Sequence, residues 1–418
     1  MNTPSKRPKA LSTIESRHFV SLEDLFQEAL RDGIFSGASL LVGGPRNILF
    51  HHTWGLCKAA GNPIDFGTHF DLASLTKPLV TAPLYMWSIS QGKIALDDPL
   101  TRFFPAAVLP REKRAITISH LLSHCSGLPP WRPFYTELMA VPPSEKRDGL
   151  LLRILGEPLI SLPGDEAHYS DLGFQLLGII LETVWGKPLD LLASEVLRSS
   201  GFPSRPSSFQ LEPTAVGGGG APSTLLMDNL GFNRLKAPCD PTIPPERVPR
   251  SHVPASFAAT EVCPWRKRLL EGEVHDENAY SMEGVAGHAG LFGTALGIYT
   301  LLSSLWSVYR NEVEDFRWPR ELLDLFWSRR NIGRKSTWAL GFDTPSDKGS
   351  SAGVYFSPRS VGHLGFTGAS FWMDLDQEIL VVLLTNRVHP TRENEKIRAF
   401  RPLIHNSVME AYHASSRH

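Results

Sequence analysis

"DLASLTKPL", residues 71 to 79, places a serine and a lysine three positions apart at what the spacing predicts to be the first turn of a helix. On such a turn Ser74 and Lys77 share one face, and free backbone N–H groups lie ahead of the serine. A serine hydroxyl is a weak nucleophile and needs a base within hydrogen-bond reach, a task that a desolvated lysine with a lowered pKa can perform. Taken alone, the pattern is ordinarily an N-cap serine followed by a solvated lysine. Pro78 and Pro83 sit awkwardly in the apolar helix expected to run on to Gly92, since each removes a backbone donor.

Two further short motifs could meet this one. "YSD", Tyr169 to Asp171, directly precedes the helical pattern "LGFQLLGIILE". A tyrosine there stands on a loop edge, and a phenolate near ammonium groups can act as a general base. The plainer alternative is that Ser170 or Asp171 caps the helix while Tyr169 packs its ring. "HLGFTG", His363 to Gly368, falls on a predicted strand near the C-terminus. Gly365 allows a substrate backbone or an oxyanion to come close, the next N–H can complete an oxyanion hole, and His363 offers a polar group to the same pocket. Its alternative is a strand ending in a turn with a surface histidine.

Outward from these motifs, "FVSLEDLFQEALRDG" (19–33) is apolar at Leu22, Leu25, Phe26, Ala29 and Leu30, a helical period ended by Gly33. "GASLLVGG" and "NILFHHTWG" predict an antiparallel hairpin, "GKIALDDPLTRFFP" a turn and an extended segment, and "ITISHLLSHCSGLPP" a short helix stopped by glycine and prolines. Two helices separated by Gly186 and Pro188 follow "YSD", and helical periodicity returns in "LGIYTLLSSLWSVY" and "RELLDLFWS". Short strands then fill "SAGVYFSPRSVGHLGFTGASFWMDLDQEILVVLLTNR", and "NEKIRAFRPLIHNSVMEAYH" closes as a helix. Strands at both ends with helices between them predict an α/β (α+β) fold. Its antiparallel sheet is flanked by terminal helices, with a helical subdomain inserted between strands. Residues 1–18 read as a flexible tail and 19–418 as a single domain. Its α/β part takes about 19–73 and 335–418, and its mainly helical insertion about 74–334, with a loop-rich stretch at 203–264 that includes "GGGG".

The 418 residues are 42% hydrophobic, enough for a substantial core, and 42 basic against 43 acidic side chains leave a net charge of −1. No long run of either sign appears, so nothing advertises nucleic acid or an anionic membrane as partner; a small-molecule substrate fits better. "MNTPSKRPKALSTIESRHF" lacks the apolar segment of a secretory signal, and no stretch approaches a membrane span. The expected location is the cytoplasm, or the periplasm if a leader has been removed. Cys57, Cys125, Cys239 and Cys263 are scattered without paired spacing, as expected of reduced, partly buried thiols rather than of a disulfide framework or a zinc site.

Ser-x-x-Lys, Tyr-x-Asx and His-x-Gly in this order, with long separations, closely resemble the serine penicillin-recognising family, the class C β-lactamase and D,D-peptidase group with its esterase relatives. The resemblance spans about residues 20 to 412 and includes "FDLASLTKP", "GKIALDDPLTRFFP", "ITISHLLSHCSGLP", "PGDEAHYSDLGFQLLGIILE", "GHAGLFGTALGIYTLL" and "GHLGFTGASFWMD". It implies that Ser74 is acylated by an amide or ester, that Lys77 activates it and that Tyr169 shuttles protons. It further implies an oxyanion hole formed by the N–H groups of Ser74 and Phe366, each such donor being worth about 2.7–4 kcal/mol in the transition state. No cofactor is implied. Two positions depart from the pattern. Asp171 stands where the family usually has asparagine, so an amide donor becomes a carboxylate. His363 replaces a lysine, which removes a permanent positive charge and makes efficient penicillin hydrolysis less expected.

"GEVHDENAYSMEGVAGHAGLFGT" and "LLTNRVHPTRENEKI" resemble bacterial members associated with cell-wall sugar and muropeptide turnover, including an amidase acting between muramic acid and the stem peptide. His275, Asp276, Glu277 and Asn278 in the first block, His288 beyond them, and Arg387, His389 and Arg392 in the second are candidate substrate contacts. Alternatively, the first block is a hydrogen-bonded loop and the second a strand end leading to a helix cap. "VHDEN" with His288 has the residue types for a divalent ion but no regular ligand spacing, so no metal is expected. The leading expectation is a serine hydrolase acting on an amide of a peptidoglycan-derived peptide or muropeptide. An esterase of the same fold, a weak β-lactamase and a non-catalytic peptidoglycan sensor are the alternatives.

Overall fold

The computed structural model describes residues 20–198, 229–236, 240–244, 246–247, 256–330, 332–334 and 336–415. The expected tail at 1–18, Cys239 and most of the loop-rich stretch lie outside the described residues. Helix α1 (Val20–Arg31) leads into the hairpin β1 (Gly37–Gly43) and β2 (Ile48–Gly55). After the short β3 (Phe70–Asp71) come α2 (Ala82–Ser90), α3 (Ile118–Leu122), α4 (Tyr135–Leu138), α5 (Lys146–Gly156), α6 (Asp171–Trp185) and α7 (Leu189–Arg198). Beyond β4 (Leu230–Phe232) follow α8 (Glu277–Ser281), β5 (Leu291–Gly293), α9 (Ala295–Tyr309) and α10 (Arg320–Trp327). The chain then returns through β6 (Ser360–Leu364), β7 (Ser370–Asp374) and β8 (Ile379–Thr385) before closing with α11 (Ile397–Ser415).

The five-stranded antiparallel sheet has the order β6-β7-β8-β1-β2, so a strand from near the N-terminus pairs directly with one from near the C-terminus. In that register Ala38 faces Thr385 and Leu41 faces Val382. Both faces are covered, which explains why β8 reads as an unbroken apolar run. Ile379, Val381 and Leu383 point to one side, where Leu22 and Phe26 of α1 and Phe400, Ile404 and Val408 of α11 cover them. Leu380, Val382 and Leu384 point to the other side, into the larger helical core around α2, α6 and α9. Phe26 stacks on Trp54 at 3.8 Å and meets Phe400 edge-on at 5.5 Å, joining the two terminal helices.

Helix α6 runs through the middle of the insertion, and Leu172, Phe174, Leu176, Leu177, Ile179, Ile180 and Leu181 are all buried in it. Ser170 is its N-cap, its Oγ accepting from the Gly173 N–H, and Gly186 at φ +63° ends it. The capping alternative at "YSD" is thereby decided in favour of Ser170, which leaves Asp171 free to face inward. "GKIALDDPLTRFFP" forms a single 3-10 turn, Leu100–Arg102, rather than only an extended segment, and the "VHDEN" block contributes the short helix α8.

The outer edge of β6 is covered by Asp343, whose N–H donates to Gly362 O at 2.8 Å and whose O accepts from Gly362 N–H at 2.9 Å. Burial pushes the Asp343 carboxyl up to about 6, against hydrogen bonds from Thr337 and Thr344. A raised carboxyl pKa means that the folded chain holds this proton more tightly than the unfolded chain. Stability therefore falls as pH rises from the ordinary carboxyl range towards 6 and stays lower above it. Asp343→Asn, which keeps an acceptor oxygen, is expected to add on the order of 2 kcal/mol at about pH 7.5 and nothing at about pH 3.5. Denaturant melts at the two pH values check this; equal effects at both would contradict it.

Candidate active site

Short polar contacts shape the turn that carries Ser74. Asp71 at the end of β3 is buried, and both of its oxygens are engaged: Oδ1 accepts from Ala73 N–H at 2.8 Å and Oδ2 from His275 N–H at 2.6 Å. Ala73, immediately before the serine, sits at φ +46°, a left-handed conformation costing a non-glycine residue roughly 1–2 kcal/mol. The next residues form a 3-10 turn (Ala73–Leu75), a π-helical stretch (Lys77–Thr81) and only then α2. The single helix expected up to Gly92 is thus three segments of different winding. Pro78 is tolerated because it lies at the start of the π-helical stretch, where a missing N–H costs little.

Lys77 is fully buried. Its Nζ lies 2.8 Å from Ser74 Oγ, 2.7 Å from Tyr169 Oη, 2.7 Å from Asp171 Oδ1 and 3.2 Å from His288 O, so three N–H bonds are shared among four oxygens. Burial pushes its pKa down, but the Asp171 carboxylate and the Tyr169 oxygen outweigh it, and the net shift is upward. The lowered lysine pKa expected from sequence is therefore corrected: the resting group is an ammonium held by a carboxylate. Tyr169 also shifts up, because burial outweighs the neighbouring ammonium, so its resting form is a phenol rather than a phenolate.

The loop that supplies the His288 carbonyl can approach because Gly287 has no side chain. A Cβ there would fall 2.2 Å from Phe174 O and 2.9 Å from Gly178 N. Gly287 O in turn accepts from Thr81 Oγ1 at 2.6 Å. On the opposite wall, a Cβ on Gly365 would come within 2.8 Å of Leu72 O. Gly365 N–H donates to Ala369 O and Thr367 Oγ1 donates to Asp71 O, both at 2.7 Å, which seats the Phe366 backbone beside the serine turn. His363 is only 1% exposed; its Nδ1 donates to Leu364 O at 2.8 Å, which fixes the tautomer. Burial, assisted by the charge on Lys77, lowers its pKa to about 3, so the ring is neutral. The surface histidine of the alternative reading is not found.

The remaining candidates divide between two neighbourhoods. Asp276 caps α8 through Ala279 N–H and pairs with His288 Nε2 at 2.9 Å. Burial pushes the Asp276 carboxyl up, but His288 beside it prevails and holds it below the usual carboxylate range. His275 lies apart, its Nε2 3.4 Å from Glu261 and its ring 5.4 Å from the half-exposed ring of Phe366. The "VHDEN" side chains therefore do not converge on one ligand position. Arg392 bridges Glu261 and Glu277, and Arg387 donates to the carbonyls of Phe366, Arg392 and Asn394 with its guanidinium over the Phe366 ring at 4.4 Å. Asn278 is engaged by Tyr135 N–H and Arg132 O, and His389 by Thr260 O and Ala59 N–H, so these two brace loops. Among the described residues, the donor atoms of Glu261, Cys263 and Glu277 lie within 4.8 Å of one another, the one such grouping, but the Arg392 guanidinium already neutralises both carboxylates. Cys57, Cys125 and Cys263 are free and buried.

Sequence reading passed over His124 and Trp338, whose rings pack on Tyr169 with centroids at 4.6 and 5.4 Å. Trp338 carries no sequence signal. His124 lay in the quoted block "ITISHLLSHCSGLPP", where it counted only as the end of a short helix.

A serine–lysine–tyrosine cluster with a buried lysine, set between an antiparallel sheet and a body of helices, defines a class of acyl-transferring hydrolase. The chain belongs to the beta-lactamase family, whose model matches residues 22–405. It is a serine hydrolase of the β-lactamase and penicillin-binding protein fold. The N-acetylmuramyl-L-alanine amidase of Bacillus subtilis strain 168 is 31% identical over 344 residues, 77% of this chain and 68% of that protein. A protein of Escherichia coli strain K12, provisionally named a D-alanyl-D-alanine carboxypeptidase, is 28% identical over 87% of this chain and 81% of its own. Among solved structures, the octameric penicillin-binding protein homologue from Pyrococcus abyssi superposes with a TM-score of 0.62 at 17% identity, covering 92% of this chain and 77% of that one. EstCE1, a hydrolase with promiscuous acyltransferase activity, gives 0.60 at 20% identity, covering 93% of this chain and all of that one.

Proposed function

We propose that this enzyme hydrolyses an amide bond of a peptidoglycan-derived peptide or muropeptide, at the link between muramic acid and the stem peptide, through an acyl-enzyme on Ser74. The observation that carries the reading is the buried Lys77 ammonium within hydrogen-bond reach of Ser74, Tyr169 and Asp171 together. The likeness to the Bacillus amidase over most of the chain supports the substrate class.

Because Lys77 rests protonated, it takes the Ser74 proton only while passing one of its own to Asp171. The Ser74 oxygen then bonds to the substrate carbonyl carbon, and the N–H groups of Ser74 and Phe366 receive the developing oxyanion. As the carbon–nitrogen bond breaks, the Tyr169 phenol gives its proton to the leaving nitrogen and recovers one from the lysine–aspartate pair. Water then attacks the acyl carbon along the same proton path. The ester bond to Ser74 breaks, the serine regains its proton, and a carboxylic acid leaves.

An esterase is the second reading, favoured by the neutral His363 where a lysine would hold a carboxylate. Purified muropeptides and p-nitrophenyl esters supplied side by side separate the two. Amine release from muropeptides is the expected result. Ester turnover with untouched muropeptides would move the assignment to an esterase, and binding without turnover of either would make the protein a sensor.

A further inference from the structure

His124 follows the Ser123 C-cap of α3 in the left-handed conformation, at φ +58°, and reaches the backbone on both sides of Tyr169. Its carbonyl accepts from His168 N–H at 2.8 Å and its ring Nδ1 accepts from Ser170 N–H at 3.0 Å. Its ring lies 4.6 Å from the Tyr169 ring, and Trp338 packs against both, 4.5 Å from His124 and 5.4 Å from Tyr169. The residue is 1% exposed and, among the described residues, makes hydrogen bonds to the 168–170 backbone rather than to Ser74 or Lys77. From this double grip we infer that His124 is the positioning residue for Tyr169, setting the phenol oxygen at its 2.7 Å contact with Lys77.

For Nδ1 to accept, the ring must be neutral with its proton on Nε2, and burial together with the Lys77 charge keeps it so. Lys77 holds the tip of the phenol and Trp338 and His363 flank its ring, whereas His124 is the side chain that grips both the ring and the backbone beside it. Tyr169 stands on a loop between His168 and the Ser170 cap, and a tyrosine on a loop has two free torsions unless its backbone and ring are both fixed. A displacement of about 1 Å from the reacting geometry can cost on the order of 100-fold in rate. The assignment rests on the proposed role of Tyr169 as proton donor, and the test below separates the two.

Three variants of the full chain test it: His124→Gly, His124→Asn and Tyr169→Phe, with the double variant His124→Gly/Tyr169→Phe. Glycine and asparagine both accept the left-handed backbone, so neither adds strain there, and thermal melts verify that each variant stays folded. Asparagine puts its Oδ1 where Nδ1 stood; glycine removes the acceptor and the ring. The readouts are the rate of Ser74 labelling by a fluorophosphonate, and kcat and KM on p-nitrophenyl ester or muropeptide, whichever is turned over. His124→Gly is expected to lose about 10- to 100-fold in kcat with KM within a few-fold, and His124→Asn to recover most of that loss. The double variant should be no slower than Tyr169→Phe alone. Equal rates for the glycine and asparagine variants, or losses that multiply in the double variant, overturn the positioning role while leaving that of Tyr169 intact. A fully active Tyr169→Phe instead sinks the role of the tyrosine, and the inference with it.

Discussion

Ser74→Ala abolishes covalent labelling by a fluorophosphonate and lowers hydrolysis by about 10⁴- to 10⁶-fold, and Lys77→Met does nearly as much. The two losses should not multiply, since in one proton-transfer unit either deletion already removes the acyl-enzyme route. The expectation follows from the 2.8 Å contact between Lys77 Nζ and Ser74 Oγ inside a site closed to water on the lysine side. Mass spectrometry of the labelled protein locates the adduct. Label on another residue, or undiminished label in the alanine variant, would remove Ser74 from the mechanism. Neither substitution removes bulk from the apolar core, so intact folding in thermal melts should accompany the loss for Ser74→Ala.

The second large effect is on stability. Asp171→Leu leaves the Lys77 ammonium in a site where it is wholly buried and without the carboxylate that pairs with it among the described residues, which typically costs about 3–5 kcal/mol. The double variant Asp171→Leu/Lys77→Met, with no charge left to bury, should regain most of that loss, because an apolar pair of similar volume often replaces a buried ion pair without cost. The pH dependence has a definite sign. In the parent, the lysine pKa is raised, so the contribution of the pair is complete at neutral pH and is lost only as pH climbs through that raised value. In the single variant, burial, the largest influence, is opposed by Tyr169 without the carboxylate and lowers the lysine pKa, so the deficit against the parent shrinks on going from neutral to alkaline pH as Lys77 sheds its proton. Guanidinium melts across this range measure it. A deficit below about 1 kcal/mol, or one that grows towards alkaline pH, would show that the pair is not the one holding Lys77 charged.

The pair also explains why the two departures from the family pattern matter unequally. Asp171 changes the chemistry of Lys77 itself: with asparagine there, the tyrosine would be left to oppose the burial that pushes the lysine pKa down. His363 changes the charge of the wall. It is neutral and buried beneath Tyr169 and Trp338, with ring centroids 6.0 and 5.7 Å away, so position 363 does not carry the charge that a lysine would supply there.

Much of the fold was legible because its signals are local. The period of α1, the hairpin of β1 and β2, the apolar α6 and the closing helix α11 are each written in contiguous residues. The meeting of Ser74, Lys77 and Tyr169 was also legible, since a serine, a lysine and a tyrosine in recurring short motifs need no coordinates to be noticed. Less legible was anything depending on which polar group wins a partner. "VHDEN" looked like one constellation, yet Asp276 turns to His288 and Glu277 to Arg392, because α8 sends neighbouring side chains to different faces. His124 was invisible as a positioning group because its partners, His168 and Ser170, are distant in the chain.

The sequence by itself determined the layered fold, through the 3.6- and 2-residue apolar periods, and which side chains gather around Ser74, through motif order. Only the tertiary structure decided their protonation. The direction of a pKa shift is a balance between desolvation and the nearest charges, and both depend on distances of a few ångströms that no spacing along the chain encodes. Lys77 shows this plainly: its motif led to the expectation of a lowered pKa, and Asp171, brought to 2.7 Å by the fold, reverses the sign.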